Sequence, residues 1–261
     1  YNYLELKEEL TRLGHVFRSE SDTEILLCGY KSWGCNLFGK LNGMFALGIF
    51  DDTDQSLILA RDYFGEKPLF YKVGEHFTFA SELYTLHFLD GAPSNLSEAA
   101  LNGFLADGYC TAPDTLLDNC FAIQPGHYVR VSRDGDIEKM SNWSTSSDQE
   151  TRQFNKIRDL VDSQVDLLLP KEVPFGCFLS GGIDSSLIAL STENQLSKEE
   201  NTFRGFFSAT FKETAFSEQK RVDEFSSANL SSNVMFVDCD TSRDDYVNIL
   251  NNKMARVCCT D

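Results

Sequence analysis

The stretch that decides the fold of the second half of the chain is an apolar run that ends in two glycines. Residues 175–186 read Phe175-Gly176-Cys177-Phe178-Leu179-Ser180-Gly181-Gly182-Ile183-Asp184-Ser185-Ser186. An apolar run, a Ser-Gly-Gly sequence and a renewed apolar pattern predict a buried strand, a tight turn and the start of a helix. Glycine permits a sharp bend or the close approach of a ligand because it carries no Cβ.

The predicted helix start has the chemistry of a phosphate site. Its free N–H groups and positive dipole end suit an anion, and Ser180, Ser185 and Ser186 add hydroxyl donors. Asp184 would face a phosphate only with a divalent cation between them, as in Mg²⁺–nucleotide sites. The Walker spacing Gly-x4-Gly-Lys-Ser/Thr is absent. Alternatively, the glycines serve only packing, and Asp184 interacts with the helix dipole. The nucleotide-binding interpretation is favoured because six positions of the Ser-Gly-Gly-x-Asp-Ser type are specified at one strand–helix junction.

Composition limits the classes of function. A chain of 261 residues predicts two domains, and a net charge of −17 disfavours nucleic-acid binding. The eight cysteines include no Cys-x-x-Cys pair, so we expect reduced, buried thiols rather than a zinc site. Without a long apolar segment or a signal peptide, we expect a cytoplasmic protein. The chain starts at Tyr1 without Met and stops after two strand–helix repeats, so we expect a fragment.

The first half of the chain predicts helices and antiparallel hairpins. Apolar residues at helical spacing predict a helix over residues 3–13, with Gly14 as its stop. Ser21-Asp22-Thr23-Glu24 is typical of a capping box before a helix that ends near Gly34, and Ser97 begins another over 97–106. Short alternating segments bounded by turn residues predict strands, which are residues 41–50, 57–60, 69–73, 76–80 and 127–132.

The second half predicts alternating helices and strands. A polar run at 141–149 marks a change of composition, so we divide the chain into domains 1–140 and 151–261 with a linker at 141–150. After the linker, the predicted helices are residues 154–168, 183 onward and 216–230, and the further strands are 202–211 and 234–238. This order predicts a parallel sheet, with the glycine turn at its carboxyl edge, where such sheets bind ligands.

Four stretches in order resemble glutamine-hydrolysing asparagine synthetases. Residues 1–6 resemble the segment after that family's Asn-Gly-Glu, and residues 21–24 its Ser-Asp-Thr-Glu. Residues 41–46, Arg61-Asp62, Gly65, Pro68-Leu69 and 80–82 resemble the core of its glutaminase. Residues 173–186 resemble its synthetase loop. The resemblance implies an α/β two-domain protein: a partial α/β/β/α glutaminase of the N-terminal-nucleophile type, then a partial parallel-sheet PP-loop synthetase domain.

The resemblance also implies site residues and a reaction. In the family a Cys after the initiator Met attacks glutamine; this chain does not contain that position, and Cys28 in a helix interior cannot replace it. Asp22 would bind the α-ammonium of glutamine; it is also a helix-start residue, and the two roles are compatible because a carboxylate at a helix start is rigid and available. Ser180, Gly181, Gly182 and Ser185 would bind the pyrophosphate of ATP, and Asp184 would hold Mg²⁺. Leu179 and Ala209 would line the adenine site, but ordinary strand ends explain them nearly as well.

The implied reaction has two steps. The β-carboxylate of aspartate attacks the α-phosphorus of ATP to give β-aspartyl-AMP and pyrophosphate, and ammonia from glutamine then displaces AMP. Glutamine, aspartate and ATP are therefore the implied small-molecule partners, and a homodimer is left open as the assembly.

Some residues depart from the family pattern and keep alternatives open. Thr210 stands where Gly is common, residues 215–218 follow the pattern loosely, and residues 253–261 match nothing. The alternatives are an amidotransferase for another carboxylate, a β-lactam-forming relative and a degenerate binding or scaffold protein. We interpret Arg61 and Lys67 as loop scaffold with local ion pairing rather than phosphate contacts.

Overall fold

In the computed structural model, the described residues are 1–89, 94–143, 157–170, 173–196, 202–211 and 217–239. They fall into two compact units, with the described residues up to 143 in the first and those from 157 onward in the second. No helix in the described ranges is long and apolar enough to cross a bilayer.

The first unit combines four α-helices and a 3-10 helix with seven short strands within the described residues. Its elements are α1 (Tyr3–Arg12), α2 (Asp22–Trp33), a 3-10 helix (Gly34–Lys40), β1 (Ala46–Asp51), β2 (Ser56–Arg61), β3 (Phe70–Val73), β4 (Phe77–Ala80), α3 (Leu83–Leu89), α4 (Glu98–Asp107), β5 (Cys120–Ala122), β6 (His127–Val131) and β7 (Ile137–Asn142). The strands form two antiparallel sheets, ordered β1-β2-β6-β7 and β4-β3-β5. The predicted hairpins are therefore confirmed.

Alternation along β2 shows how the layers of the first unit pack. Ile58 and Ala60 belong to the core that also contains Leu6 and Leu10 of α1. Leu59, between them, belongs to a second core that contains residues of both sheets. Because side chains alternate between the two faces of a strand, the four-stranded sheet packs on helices with one face and on the other sheet with its second face.

The three-stranded sheet repeats this arrangement. Tyr71 of β3 faces the core between the sheets, whereas Phe70 belongs to a third core with Leu83 and Leu86 of α3. The first unit thus consists of helices, sheet, sheet and helix packed in that order.

The second unit is a parallel sheet with helices between its strands. Its elements are α5 (Ile157–Leu168), β8 (Phe175–Phe178), α6 (Ile183–Gln195), β9 (Phe203–Thr210), α7 (Gln219–Asn229) and β10 (Val234–Asp238). The strands are parallel in the order β10-β9-β8. Leu179, Ala189, Phe206 and Val222 form its buried core. The predicted strand–helix alternation and the parallel sheet are confirmed.

Several boundaries differ from those that the sequence predicts. β1 starts at Ala46 rather than at 41, because Asn42 exchanges hydrogen bonds with Asn2 instead of with a strand partner. α7 starts at Gln219 rather than at 216, and residues 212–216 lie outside the described ranges. β7 runs to Asn142 and Trp143 lies in the first core, so the first positions of the predicted linker belong to a strand. The division at 141–150 itself stays a prediction.

The predicted capping box is only half right. Ser21 is the N-cap of α2, and its hydroxyl accepts a hydrogen bond from the N–H of Thr23 at 3.2 Å. Glu24, however, accepts hydrogen bonds from the N–H groups of Arg18 and Ser19 and from the Ser19 hydroxyl, not from Ser21. The segment before the helix therefore places the donors of Arg18 and Ser19 at the Glu24 carboxylate, where a capping box would place the N–H of Ser21.

The expectation of buried thiols is wrong for most of the described cysteines. Cys120 is buried, whereas Cys28, Cys35, Cys110, Cys177 and Cys239 are partly exposed. The five partly exposed cysteines are free thiols. Apolar neighbours in sequence do not bury a side chain that lies at the margin of a core, which explains the difference.

Candidate functional site

The turn between β8 and α6 has the strand–turn–helix geometry that the sequence predicts. β8 ends at Phe178, and the 13-residue helix α6 starts at Ile183 with Gly182 as its N-cap. Gly181 has φ +71°, in the region that residues with a side chain rarely adopt. A Cβ on Gly181 would also lie 3.0 Å from Cβ of Arg221. Gly181 is therefore required both by the backbone and by the packing of α7.

Two serine hydroxyls meet above this turn. The Oγ atoms of Ser180 and Ser185 are 3.0 Å apart, and the N–H of Ser180 donates to Ser185 Oγ at 3.3 Å. Ser185 Oγ donates to the carbonyl of Gly182 at 3.2 Å. A Cβ on Gly182 would point toward these hydroxyls, at 3.4 Å from Ser180 Oγ. Gly182 therefore keeps the space beside the hydroxyls open, while Gly181 supplies the bend.

Asp184 lies exposed in the first turn of α6. The described residues contain no group of three or more His, Cys, Asp or Glu side chains that could hold a metal. A cation at Asp184 would thus need most of its oxygen ligands from a bound phosphate and water, which is how Mg²⁺ is commonly held beside nucleotides. Ser186 is part of α6, and its backbone N–H donates a hydrogen bond to the carbonyl of Gly182.

The two residues predicted for the adenine site lie in different environments. Leu179 is 1% exposed, and its side chain belongs to the core of the second unit. Its N–H donates to the carbonyl of Phe207 at 2.8 Å. Only a backbone contact with a ligand is therefore available to Leu179. Ala209 is exposed near the end of β9, where it pairs with Val237.

Sequence reasoning missed two polar residues beside the turn. Ser208 in β9 is 3% exposed, and its Oγ has no hydrogen-bond partner within the described ranges. Arg221 lies in the first turn of α7, next to Gly181. A serine in an apolar strand and an arginine in a polar helix carry no recognisable motif, so only the three-dimensional arrangement identifies them.

The first unit contains a pocket at the start of α2. Its volume is about 620 Å³, and its polar lining includes Asp22, Lys67 and Ser81. The apolar lining comes mainly from the 44–49 segment and from α2. Asp22 is exposed to this space, and the hydroxyl of Tyr1 donates to its backbone carbonyl at 2.8 Å. Burial, reinforced by the charge of Asp22, raises the pKa of Tyr1, so this hydroxyl remains a donor.

The loop that follows β2 supports one wall of the pocket. Arg61 donates hydrogen bonds to the backbone carbonyls of Gly65, Lys67 and Ile123. Asp62 accepts hydrogen bonds from the N–H groups of Phe45, Phe64, Glu66 and Lys67. Both side chains are buried although the segment is polar. The hydrogen bonds of Arg61 agree with its interpretation as loop scaffold, whereas Lys67 lines the pocket.

Two family models match the chain in tandem. The model described as a glutamine amidotransferase domain matches residues 1–144, and the model described as asparagine synthase matches residues 156–252. The turn at 180–185 lies within the second match and the pocket at Asp22 within the first.

Curated relatives in several organisms are similar to this chain. Asparagine synthetase [glutamine-hydrolyzing] 1 of Bacillus subtilis is 33% identical over 96% of this chain and 39% of its own length. Asparagine synthetase [glutamine-hydrolyzing] 3 of the same organism is 33% identical over 76% of this chain and 33% of its own length. Asparagine synthetase [glutamine-hydrolyzing] 2 of Arabidopsis thaliana is 31% identical over 77% of this chain and 30% of its own.

Solved structures give weaker similarity. Glutamine phosphoribosylpyrophosphate amidotransferase from B. subtilis, complexed with ADP and GMP, is similar with a TM-score of 0.36 and 15% identity, over 91% of this chain and 59% of that one. Similarity at this level carries no argument about the fold.

The curated relatives are much longer than this chain, which spans 30–39% of the length of the three described above. By its two tandem domain matches and these relatives, the chain belongs to the family of glutamine-hydrolysing asparagine synthetases.

Proposed function

We propose that this chain is the part of an enzyme that couples glutamine hydrolysis to the ATP-dependent amidation of aspartate. The observation that carries the proposal is the turn from β8 to α6. There a left-handed glycine, two serine hydroxyls and the start of a 13-residue helix lie together at the carboxyl edge of a parallel sheet. Such an arrangement suits a phosphate group.

ATP is the proposed ligand of this turn. Ser180 and Ser185 would donate their hydroxyls, and Gly181 and Gly182 their N–H groups, to the pyrophosphate. Leu179 would contribute a backbone contact to the adenine, and Ala209 a small apolar side chain. In this proposal the second unit is a PP-loop domain.

Asp184 is the proposed ligand of Mg²⁺. Its exposed position in the first turn of α6 leaves room for a cation between the carboxylate and a phosphate. The cation would supply positive charge against the charge that develops on the departing pyrophosphate. The hydroxyls and helix-start amides of this chain would bind the same oxygens.

Activation by ATP supplies the chemical reason for the two-step reaction. A carboxylate does not react with ammonia, so the aspartate β-carboxylate is first converted to β-aspartyl-AMP, and ammonia then displaces AMP. Ammonia would come from glutamine bound in the pocket of the first unit, where Asp22 would pair with the α-ammonium of glutamine. The helix–sheet–sheet–helix order of this unit fits a glutaminase of the N-terminal-nucleophile type. A homodimeric assembly and a cytoplasmic location complete the proposal.

Isotope exchange between ATP and pyrophosphate tests this proposal in the full-length protein. We expect exchange that depends on aspartate and is strongly reduced in Asp184→Asn. If another carboxylate supports exchange and aspartate does not, the acceptor substrate is that carboxylate and not aspartate. Absence of exchange with every carboxylate tried would refute the ligase function, and unchanged exchange in Asp184→Asn would remove Asp184 from the metal role.

A further inference from the structure

The starts of two helices converge at the glycine turn. A Cβ on Gly181 would lie 3.0 Å from Cβ of Arg221 and 3.3 Å from the backbone nitrogen of Val222. α7 starts at Gln219, so both of these atoms belong to its first turn. α6 starts directly after Gly182. The positive dipole ends of two helices therefore lie beside residues 180–182.

Arg221 adds a full positive charge at this point. Its side chain is exposed, and it makes no ion pair or hydrogen bond with any residue in the described ranges. The preceding residue, Lys220, is instead engaged with Glu224 one turn along the helix. Carboxylates lie at the same edge of the sheet, with Asp184 at the start of α6 and Asp238 at the end of β10. A nucleotide bound near these carboxylates would be stabilised by a neighbouring guanidinium, because a guanidinium binds phosphate with several N–H donors.

Ser208 independently points to a ligand in the same place. Ser208 and Phe206 lie on the same face of β9, because alternate residues of a strand share a face. Phe206 packs in one core with Ala189 of α6 and Val222 of α7. Ser208 is two residues nearer the carboxyl end of the strand, so it faces the space below the starts of both helices. Ser208 is 3% exposed, and its buried hydroxyl has no partner among the described residues, which is a costly state unless a ligand or water satisfies it.

We propose that Arg221 and Ser208 bind the polyphosphate of the nucleotide, in addition to the loop of residues 180–185; this rests on the proposed function. The guanidinium reaches the phosphates from the start of α7, and the hydroxyl of Ser208 donates to them from the sheet below. Arg221 thereby adds positive charge beside the phosphates, in addition to the cation proposed at Asp184. Neither residue forms or breaks a bond in the reaction.

Dissociation constants for ATP, inorganic pyrophosphate and adenosine, measured by calorimetry on the full-length protein with Mg²⁺, test the proposal. Arg221→Ala retains the Cβ that contacts Gly181 and removes only the rest of the side chain. We expect it to weaken ATP and pyrophosphate binding by roughly tenfold, as for the loss of a charged hydrogen bond. Adenosine binding should not change, and Arg221→Lys should restore part of the affinity. Lys220→Ala is the matched control and should bind all three ligands as the wild type does.

Ser208→Ala gives a second, independent readout. Because no described residue pairs with the Ser208 hydroxyl, we expect the variant to melt at the same or a higher temperature without ligand, yet to bind ATP several-fold more weakly. A purely structural role would lower the melting temperature instead.

The outcomes separate this inference from the function on which it rests. Unchanged pyrophosphate affinity in Arg221→Ala, or an equal loss in Lys220→Ala, overturns the role of Arg221 while ATP binding by the wild type upholds the nucleotide site. Unchanged ATP affinity in Ser208→Ala overturns the role of Ser208. If the wild type binds neither ATP nor pyrophosphate, the proposed function fails and this inference fails with it.

Discussion

The backbone N–H of Lys67 donates a hydrogen bond to Oδ2 of Asp62 at 2.9 Å, and this contact closes the loop that supports the pocket of the first unit. The Asp62 carboxylate is 1% exposed and accepts from three other N–H groups. We therefore expect Asp62→Ala to lower the free energy of unfolding by about 3 kcal/mol, because buried donors lose a charged acceptor. Urea unfolding followed by circular dichroism measures this change.

Asp134→Ala is the control for Asp62→Ala. Asp134 lies exposed in the turn before β7, so its removal should change stability by less than about 0.5 kcal/mol. Equal losses in the two variants would show that Asp62 contributes no more than a surface carboxylate.

A second prediction concerns Gly176 in β8. A Cβ at this position would overlap with Cε2 of Phe207 in the neighbouring strand. Gly176→Ala should therefore destabilise the second unit by about 1–3 kcal/mol, since the aromatic ring must leave its position. Thermal unfolding measures the effect.

Gly103→Ala is the matched glycine control. Gly103 lies within α4, and a Cβ there would meet nothing within 4 Å. Alanine is favoured over glycine inside a helix, so this variant should gain roughly 0.5–1 kcal/mol. If both glycine variants change stability in the same direction, the contact with Phe207 does not constrain Gly176.

The third prediction concerns the ionisation of Tyr30. Burial, together with its hydrogen bond to Asp51 at 3.0 Å, raises the pKa of Tyr30 from 10.0 to about 12. A pKa raised in the folded state gives a stabilisation that is complete below the unfolded value of 10.0 and is lost as pH rises toward 12. Tyr30→Phe removes this contribution, so its stability should fall less steeply than that of the wild type over this interval.

Phenolate absorbance provides the measurement. The chain has nine tyrosines, and the difference between the wild-type and Tyr30→Phe titrations isolates Tyr30. We expect the difference to develop near pH 12 while circular dichroism shows a folded protein. A midpoint near the ordinary value of 10.0 would mean that the Asp51 contact is not retained in solution.

The fourth prediction follows from the proposed glutamine pocket. Asp22→Asn keeps the size of the side chain and removes the charge proposed to pair with the α-ammonium of glutamine. In the full-length protein we expect KM for glutamine to rise by roughly tenfold, the loss of a charged hydrogen bond. Synthesis supported by added ammonia should be unchanged, because it does not use this pocket.

Steady-state kinetics with each nitrogen source measures the effect of Asp22→Asn. Glu8→Gln, on the exposed face of α1, is a charge-matched control and should leave both activities unaltered. An unchanged KM for glutamine in Asp22→Asn would assign Asp22 to the start of α2 alone.

Local signals in the sequence predict the parts of the fold that depend on neighbouring residues. The hydroxyl of Ser97 caps α4 by accepting a hydrogen bond from the N–H of Ala100, and Gly14 follows the end of α1, as their residue types indicate. The strand, glycine turn and helix at 175–186 are likewise readable, because the bend and the change of periodicity fall within a few residues.

Features that depend on distant residues could not be predicted. β5 has three residues, and all three pair with β3, which lies far along the chain. Nothing in sequence reveals that Phe207 occupies the space beside Gly176. The Ser208 hydroxyl, which has no partner among the described residues, and the contact of Arg221 with Gly181 belong to the same class, since each arises where separate elements meet.

The two-sided burial of β2 limits how this part of the chain can change length. Ile58 and Ala60 pack on the helices, whereas Leu59 packs on the opposite sheet. Inserting or deleting one residue within Ser56–Arg61 would exchange these faces and disturb two cores at once. Length variation among homologous chains should therefore accumulate in the exposed turn before β2 and be excluded from the strand itself.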